Sequence, residues 1–227
     1  MPQSAPGMNA FYGSRSAAGD RSSTLAKVMG LLALASVFTA AGAVAGLPLG
    51  RAGFFIGLIG AIVCLIVLGF VKDRTPLNLI LLYTFSVLEG VFLGQVLDSY
   101  ISAGLSRVVL DAAVVTAGVS LVAGGYGYTT KRDLTALGSV LFIGLLVVIG
   151  ASIVGIFLHL PALYTAISAA AALLFTGFLI FDLNRIARAG EVDTGDAVLL
   201  AVSVYVDVVN LFLALLSLLT GFRGDDR

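Results

Sequence analysis

The sequence is poor in the residues that soluble enzymes and metal centres are built from. Only 11% of its 227 residues are charged, 13 basic and 13 acidic, whereas soluble domains contain about 25%. It has no Trp, one Cys (Cys64) and one His (His159), which is expected at the surface in an outer turn. These counts exclude a disulfide framework and a His-rich zinc or iron site. The low polarity excludes a water-soluble enzyme, a disordered chain and a domain with a basic face for nucleic acid.

Long apolar runs take the place of those residues. A helix needs about 20 apolar residues to cross the hydrocarbon core of a bilayer. The runs do not alternate, as the strands of a membrane barrel would. The sequence therefore predicts an all-α integral membrane protein with seven transmembrane helices, in the runs 24–47, 52–71, 76–97, 108–128, 134–158, 162–186 and 197–222.

The remaining segments are short. Residues 1–23 are small and polar without an apolar run, so they are predicted to form a flexible N-terminal tail rather than a signal peptide. Residues 24–222 form one transmembrane domain, because connections this short make successive helices antiparallel neighbours. Residues 223–227 are a short C-terminal tail. The tails, without any targeting signal, favour the inner membrane of a bacterium.

Lys and Arg set the expected orientation, since they concentrate on the cytosolic side of membrane proteins. With the N-terminus inside, the inner segments contain nine basic residues and the outer segments contain four (Arg51, Arg107, Arg223 and Arg227). The sequence predicts a cytosolic N-terminus and, with seven crossings, an external C-terminus.

The last apolar run carries a polar stripe. Ser203, Asp207 and Asn210 are spaced by four and three residues, which places them on one face of a helix. A charged group at membrane depth costs several kcal/mol and faces the bundle interior or a water-filled cavity. We therefore expect the last helix to lie at the centre of the bundle.

A second carboxylate, Asp182, lies near the cytosolic end of the sixth run. Counted along each helix at about 1.5 Å per residue, Asp182 and Asp207 reach similar depths. Two carboxylates that meet in a low dielectric tend to share one proton, and their oxygens suit a hard cation such as Ca²⁺. This pair could sense pH, pass cations or bind Ca²⁺ transiently. The alternative is a structural role in which each Asp holds neighbouring helices together.

Four other polar residues each have one functional and one structural interpretation. Glu89, in the middle of the third run, is either a third acidic group of the ion pathway or a protonated helix contact. Lys72, Arg74 and Arg185 either anchor helix ends, as the positive-inside rule explains, or reach inward to pair with Asp182 and latch a closed state.

Two motifs resemble the Bax inhibitor family, also called the transmembrane Bax inhibitor motif family. LIFDLNRI (179–186) resembles the family's (Y/F)D motif at the end of the sixth helix. Residues 205–212 follow its Tyr-x-Asp-x-x-Asn-Leu-Phe pattern in the last helix, and 83–94 are a weaker match.

The resemblance implies six helices around a central seventh and a pH-sensitive Ca²⁺ leak gated by Asp182 and Asp207. It also implies a closing role for a basic residue near the inner end of the second helix, for which Lys72 and Arg74 are the candidates. Some bacterial members are associated with a membrane-bound ATP-dependent protease, so the alternative function is regulatory binding to such a protease.

An enzyme is not expected. A rhomboid-type protease needs a Ser–His pair within the membrane. An aspartyl intramembrane protease needs a GxGD context, whereas Phe181 precedes Asp182 and Val206 precedes Asp207. No cofactor is expected besides calcium as a permeant or transiently bound ion, and the expected partners are the lipid bilayer, calcium and a membrane protease.

Overall fold

Helices and the short connections between them make up the part of the chain that the structure describes. This structure, a computed structural model, describes residues 6–158 and 160–224, with side chains for 22–158 and 160–222. No strand occurs within these ranges. A short 3-10 turn, Leu47–Leu49, separates the first two of the helices α1 (Pro6–Gly46), α2 (Gly50–Val71), α3 (Leu77–Ser102), α4 (Ser106–Thr129), α5 (Thr135–Leu158), α6 (Pro161–Arg188) and α7 (Thr194–Gly224).

Six segments of the described residues are long and apolar enough to cross a membrane. The first of them, Ser22–Val71, has 50 residues and contains most of α1 and all of α2. A straight helix of that length would measure about 75 Å, far more than the bilayer core of about 30 Å. Whether the first segment crosses a membrane once or twice therefore depends on the path of the chain between α1 and α2.

Both α1 and α2 pack against α3, in opposite directions. On α1, Gly42 faces Val87 and Gly46 faces Val91, so residue numbers rise together and the two helices are parallel. On α2, Gly57 faces Phe92 and Gly60 faces Leu88, so the numbers run in opposite senses. The chain consequently reverses direction at the 3-10 turn.

Gly50 makes this reversal possible. It follows the turn with φ of +53°, in a region that side chains other than glycine rarely adopt. The Gln95 side chain of α3 donates a hydrogen bond of 2.7 Å to the Gly46 carbonyl, which occupies an acceptor at the end of α1.

α7 is the most enclosed of these helices. It contacts α1, α3, α4 and α6, and Leu68 of α2 packs against its Val198 and Val202. Half of its most apolar stretch (50%) is buried, against 11% for α5. Its N-terminal half carries small and branched residues, such as Ala197 and Val198, that are 1% or less exposed.

Three of the predicted features fall wholly or partly outside the described residues. His159 is not described, and neither are residues 225–227 of the predicted C-terminal tail. α1 begins at Pro6, within the segment predicted to be a flexible tail, but the side chains before residue 22 are not described.

Candidate functional site: the aspartate pair between α6 and α7

Asp182 and Asp207 meet at the interface between α6 and α7. The two residues are 2% and 5% exposed. Their carboxyl groups interact directly with each other, and the Ser203 hydroxyl lies against Asp182. Oδ2 of each carboxyl is buried and has no hydrogen-bond partner among the described residues. The loop 189–193 between the two helices is short, which keeps α6 and α7 antiparallel neighbours.

The chemistry of this pair follows from its burial. Two carboxylates that are both ionised in a low dielectric repel strongly, whereas one shared proton lets one carboxyl donate to the other. A buried oxygen without a partner costs free energy, and binding a proton or a cation would lower that cost. The pair can therefore exist in at least two charge states with different preferences for the distance between α6 and α7.

The pair alone does not make a metal cage. Among the residues with described side chains, no three His, Cys, Asp or Glu come together in a group that could hold a metal ion. Ca²⁺ takes six to eight oxygen ligands in proteins, and two carboxylates supply at most four. Ca²⁺ at this position would have to keep part of its water shell.

Two further predicted members of the ion pathway, Asn210 and Glu89, have partners other than the two aspartates. Asn210 lies on α7, but its side-chain amide donates a 2.9 Å hydrogen bond to the Val206 carbonyl of its own helix. Glu89 lies on α3 near Tyr205, whose ring it influences by its charge. Among the described residues, Glu89 does not join the two aspartates in a group of three that could hold a metal ion.

Tyr205, which the motif contains, joins α7 to α1. Its hydroxyl lies 2.7 Å from the Thr39 hydroxyl, which itself donates to the Ala35 carbonyl at 2.9 Å. Tyr205 is therefore the donor in the link between the helices. Its ring packs edge-on against Phe85 of α3, with 5.4 Å between ring centroids. The sequence analysis assigned no role to Thr39, because a single Thr on an apolar helix carries no signal of its partner.

The basic residues predicted as latches occupy three different positions. Lys72, just beyond α2, lies 3.1 Å from Asp196 and 3.8 Å from Asp73, and it does not contact Asp182. The hydrogen bond and charge of Asp196, with the charge of Asp73, raise the pKa of Lys72 above its usual range. Arg74 is exposed. Arg185 is the one of the three whose charge acts on Asp182.

The loop between α6 and α7 is held by α1 as well. The Thr24 hydroxyl donates to the Gly190 carbonyl at 2.7 Å, and the Lys27 ammonium donates to the Val192 carbonyl at 3.1 Å. Gly195 packs so closely on the Lys72 carbonyl that a Cβ there would overlap it. These contacts tie α1 and the end of α2 to the loop between α6 and α7 and the start of α7. Sequence reasoning missed them because they join groups that are more than 120 residues apart along the chain.

An apolar cavity of about 590 Å³ lies beside the same helices. α1, α4, α6 and α7 line it, and Tyr205, Thr39, Ser36 and Ser120 provide its polar atoms. The Ser120 hydroxyl is buried and has no hydrogen-bond partner among the described residues. Its lining does not include Asp182 or Asp207.

Comparison with known proteins identifies clear relatives. A family model described as "Inhibitor of apoptosis-promoting Bax1" matches residues 21–224. "Modulator of FtsH protease YccA" of Escherichia coli strain K12 is 36% identical over 198 residues, covering 86% of this chain and 88% of the relative. "Inner membrane protein YbhL" of the same strain is 33% identical over 174 residues, covering 72% of this chain and 73% of the relative. An uncharacterised Campylobacter jejuni protein, Cj0236c, is 33% identical, covering 88% of this chain and 82% of the relative.

Proposed function

We propose that this chain, which belongs to the Bax inhibitor family, is a multi-pass inner-membrane protein that binds and modulates a membrane-bound ATP-dependent protease. One observation carries this proposal: the relative named as a modulator of the FtsH protease is similar over 86% of this chain and 88% of its own length. Similarity over nearly both whole chains favours a shared mode of action over a shared fragment.

The expected membrane topology supports this proposal as well. The reversal between α1 and α2 supports seven crossings, and the excess of basic residues in the inner segments supports a cytosolic N-terminus. ATP is a cytosolic substrate, so the N-terminal segment 1–23 and the ATPase part of the protease would lie on the same side. An alkaline phosphatase fused after Arg227 should be active, because that enzyme works only outside the cytosol. An inactive fusion beside an active β-galactosidase fusion would contradict seven crossings.

The binding test compares the full chain with a variant that lacks residues 2–21. Both carry the same C-terminal affinity tag and are expressed in a bacterium with its own FtsH. We expect FtsH to co-purify with the full chain, and turnover of an FtsH membrane substrate to change when the chain is expressed. If the truncated variant binds equally well, the transmembrane helices provide the interface. If neither binds nor alters turnover, the proposal is wrong.

A second candidate function is a pH-sensitive calcium leak, and the buried pair Asp182–Asp207 favours it. Loss of the shared proton would place two negative charges together at the α6–α7 interface. Two unit charges about 4 Å apart repel by about 4 kcal/mol at an effective dielectric of about 20. Such a change is large enough to reverse an equilibrium between two packings that differ by a few kcal/mol.

The test for this candidate is Ca²⁺ flux into proteoliposomes across a pH series, with protein-free liposomes as the control. We expect flux that depends on pH and survives deletion of residues 2–21. Flux equal to the protein-free control at every pH would refute the leak. It would leave the protease proposal unaffected, so the two candidates are tested separately.

A further inference from the structure

A second cavity, with two arginines in its lining, lies where α6 ends beside the start of α5. Its volume is about 380 Å³. The side chains around it come from these two helices and the residue after α6: Thr135, Phe181, Asn184, Arg185, Arg188 and Ala189. Neither candidate function of the chain uses this cavity.

One of its two arginines is held in a fixed position. The Arg188 side chain donates from Nε to Asn184 Oδ1 at 3.1 Å and from Nη2 to the Lys131 carbonyl at 3.0 Å. Asn184 is 3% exposed, and its amide donates to the Gly127 carbonyl of α4 at 3.2 Å. These bonds fix one guanidinium at the cavity wall before any ligand arrives, which lowers the entropy cost of binding an anion.

The second arginine is available. Arg185 is exposed, and no described residue forms a hydrogen bond or ion pair with its side chain. A guanidinium presents five N–H donors in a planar fork that matches phosphate oxygens. Arg185 and Arg188 are three positions apart on α6, so both reach the same cavity.

The surrounding charge is also positive. Lys131 and Arg132 belong to the loop that leads to Thr135. The acidic group of that loop, Asp133, accepts hydrogen bonds from the Thr135 backbone N–H and hydroxyl at 2.9 and 2.6 Å. These bonds, more than the charge of Arg188, hold the pKa of Asp133 below its usual range. Lys131, Arg132, Arg185 and Arg188 outnumber the acidic groups that interact with them, Asp133 and Asp182, so the region attracts an anion.

The position of the cavity favours a lipid headgroup as the source of that anion. It lies where the apolar segments α5 and α6 end, which is where we expect lipid headgroups to begin, and Phe181 forms part of its wall. α5 is the least buried of the candidate spans, so its apolar surface is open to lipid chains directly beside the cavity. Basic pockets between helices at this depth suit anionic phospholipid headgroups.

We propose that the cavity between Arg185, Arg188 and Thr135 binds the phosphate-bearing headgroup of an anionic phospholipid, with the acyl chains lying along α5. Arg185 also acts electrostatically on Asp182, so a bound headgroup would place an anion on the other side of the same guanidinium. The positive-inside rule alone explains basic residues at this end, but it requires neither a shared cavity nor selectivity among lipids.

The experiment titrates the purified full chain in neutral detergent with phosphatidylglycerol and, separately, with phosphatidylcholine. Bound lipid is counted by native mass spectrometry. Phosphatidylcholine carries the same phosphate without net charge, so the difference between the two lipids isolates charge recognition. We expect tighter binding of phosphatidylglycerol, and that preference should fall as salt is added. The salt series uses the wild-type chain and therefore does not depend on a variant that folds.

Arg185→Gln is the test variant and Arg51→Gln is the matched control, since both arginines are exposed and Arg51 lies at the opposite end of the bundle. Loss of one charge-assisted contact should weaken phosphatidylglycerol binding about tenfold in the first variant and leave it unchanged in the second. Equal binding to both lipids, an equal loss in both variants, or displacement of the lipid by inorganic phosphate that exceeds the displacement by sodium chloride at equal ionic strength would each overturn the proposal.

Discussion

The interface between α1 and α3 and the interface between α6 and α7 hold the bundle together by opposite means. Between α1 and α3, glycine lets backbones touch: a Cβ at Gly90 would overlap the Thr39 carbonyl, and one at Gly94 would overlap the Ala43 carbonyl. Between α6 and α7, two carboxyl groups meet in a buried setting, and one oxygen of each lacks a partner among the described residues.

This contrast divides the molecule into a fixed part, formed by α1, α2 and α3, and a part that can change, the interface between α6 and α7. The glycine contacts themselves contain no ionisable group, so neither pH nor ions act on them directly. A carboxyl pair changes its net charge with pH and with bound cations. If the protein has two conformations, we expect α6 and α7 to move relative to each other while α1, α2 and α3 stay together.

The largest expected effect comes from adding side chains to the fixed part. Gly90→Leu would force α1 away from α3, because even the first carbon of the new side chain meets the Thr39 backbone. We expect a loss of about 3 kcal/mol of stability or failure to fold. The loss of stability is measured as a lower temperature of heat-induced aggregation of the purified protein in detergent.

Gly118→Ala is the matched control for this prediction. Gly118 also lies within a membrane helix, but nothing lies within 4 Å of a Cβ built there. Alanine favours helix over glycine by about 1 kcal/mol, so this variant should be as stable as the wild type or slightly more so. Equal behaviour of the two variants would show that the α1–α3 contact is not close.

The second prediction concerns the part that can change. Asp182→Asn and Asp207→Asn each remove the site of the shared proton, so each should flatten the pH dependence of Ca²⁺ flux in proteoliposomes. The double variant should be no more severe than the stronger single one, because the two residues act as a unit.

Asp98→Asn is the control for the aspartate pair, since Asp98 is exposed near the end of α3. It should keep the wild-type pH midpoint. If both single variants of the pair also keep that midpoint, Asp182 and Asp207 serve only to hold α6 against α7.

Glu89→Gln tests the boundary between the two regions and should have a smaller effect. Glu89 lies on α3 near Tyr205 rather than with the aspartate pair. Gln has nearly the same shape, so we expect a stability change within about 1 kcal/mol and an unchanged pH midpoint of flux. A shifted midpoint would place Glu89 in the ion pathway after all.

The sequence was sufficient to predict the helices and the meeting of the two aspartates. The run 108–128 corresponds to α4, Ser106–Thr129, because apolar length is set by the thickness of the bilayer. Asp182 and Asp207 could be paired because one short loop joins their helices. The family resemblance on residues 205–212 is confirmed by the match over residues 21–224.

The sequence could not predict contacts between helices that are distant along the chain. Small residues mark close packing, but they do not identify the partner, so the parallel contact of α1 with α3 carried no signal. The partner of Lys72 could not be predicted either. Asp196 lies 124 residues away and is only one of several acidic residues near the basic end of the bundle.

The smallest expected effect concerns the contact of Lys72 with Asp196, which joins the end of the fixed part to the start of α7. Both side chains are partly exposed, at 38% and 50%, so water and salt weaken the pair. The raised pKa of Lys72 means that its contribution is fully present below the ordinary pKa of Lys and is lost as pH rises through the raised value. Lys72→Gln should therefore lower the melting temperature slightly at neutral pH. The difference from wild type should shrink with added salt and disappear above the raised pKa. Arg74→Gln, which removes a neighbouring exposed charge, should not change the melting temperature, and a loss that persists at high salt would assign Lys72 a packing role instead.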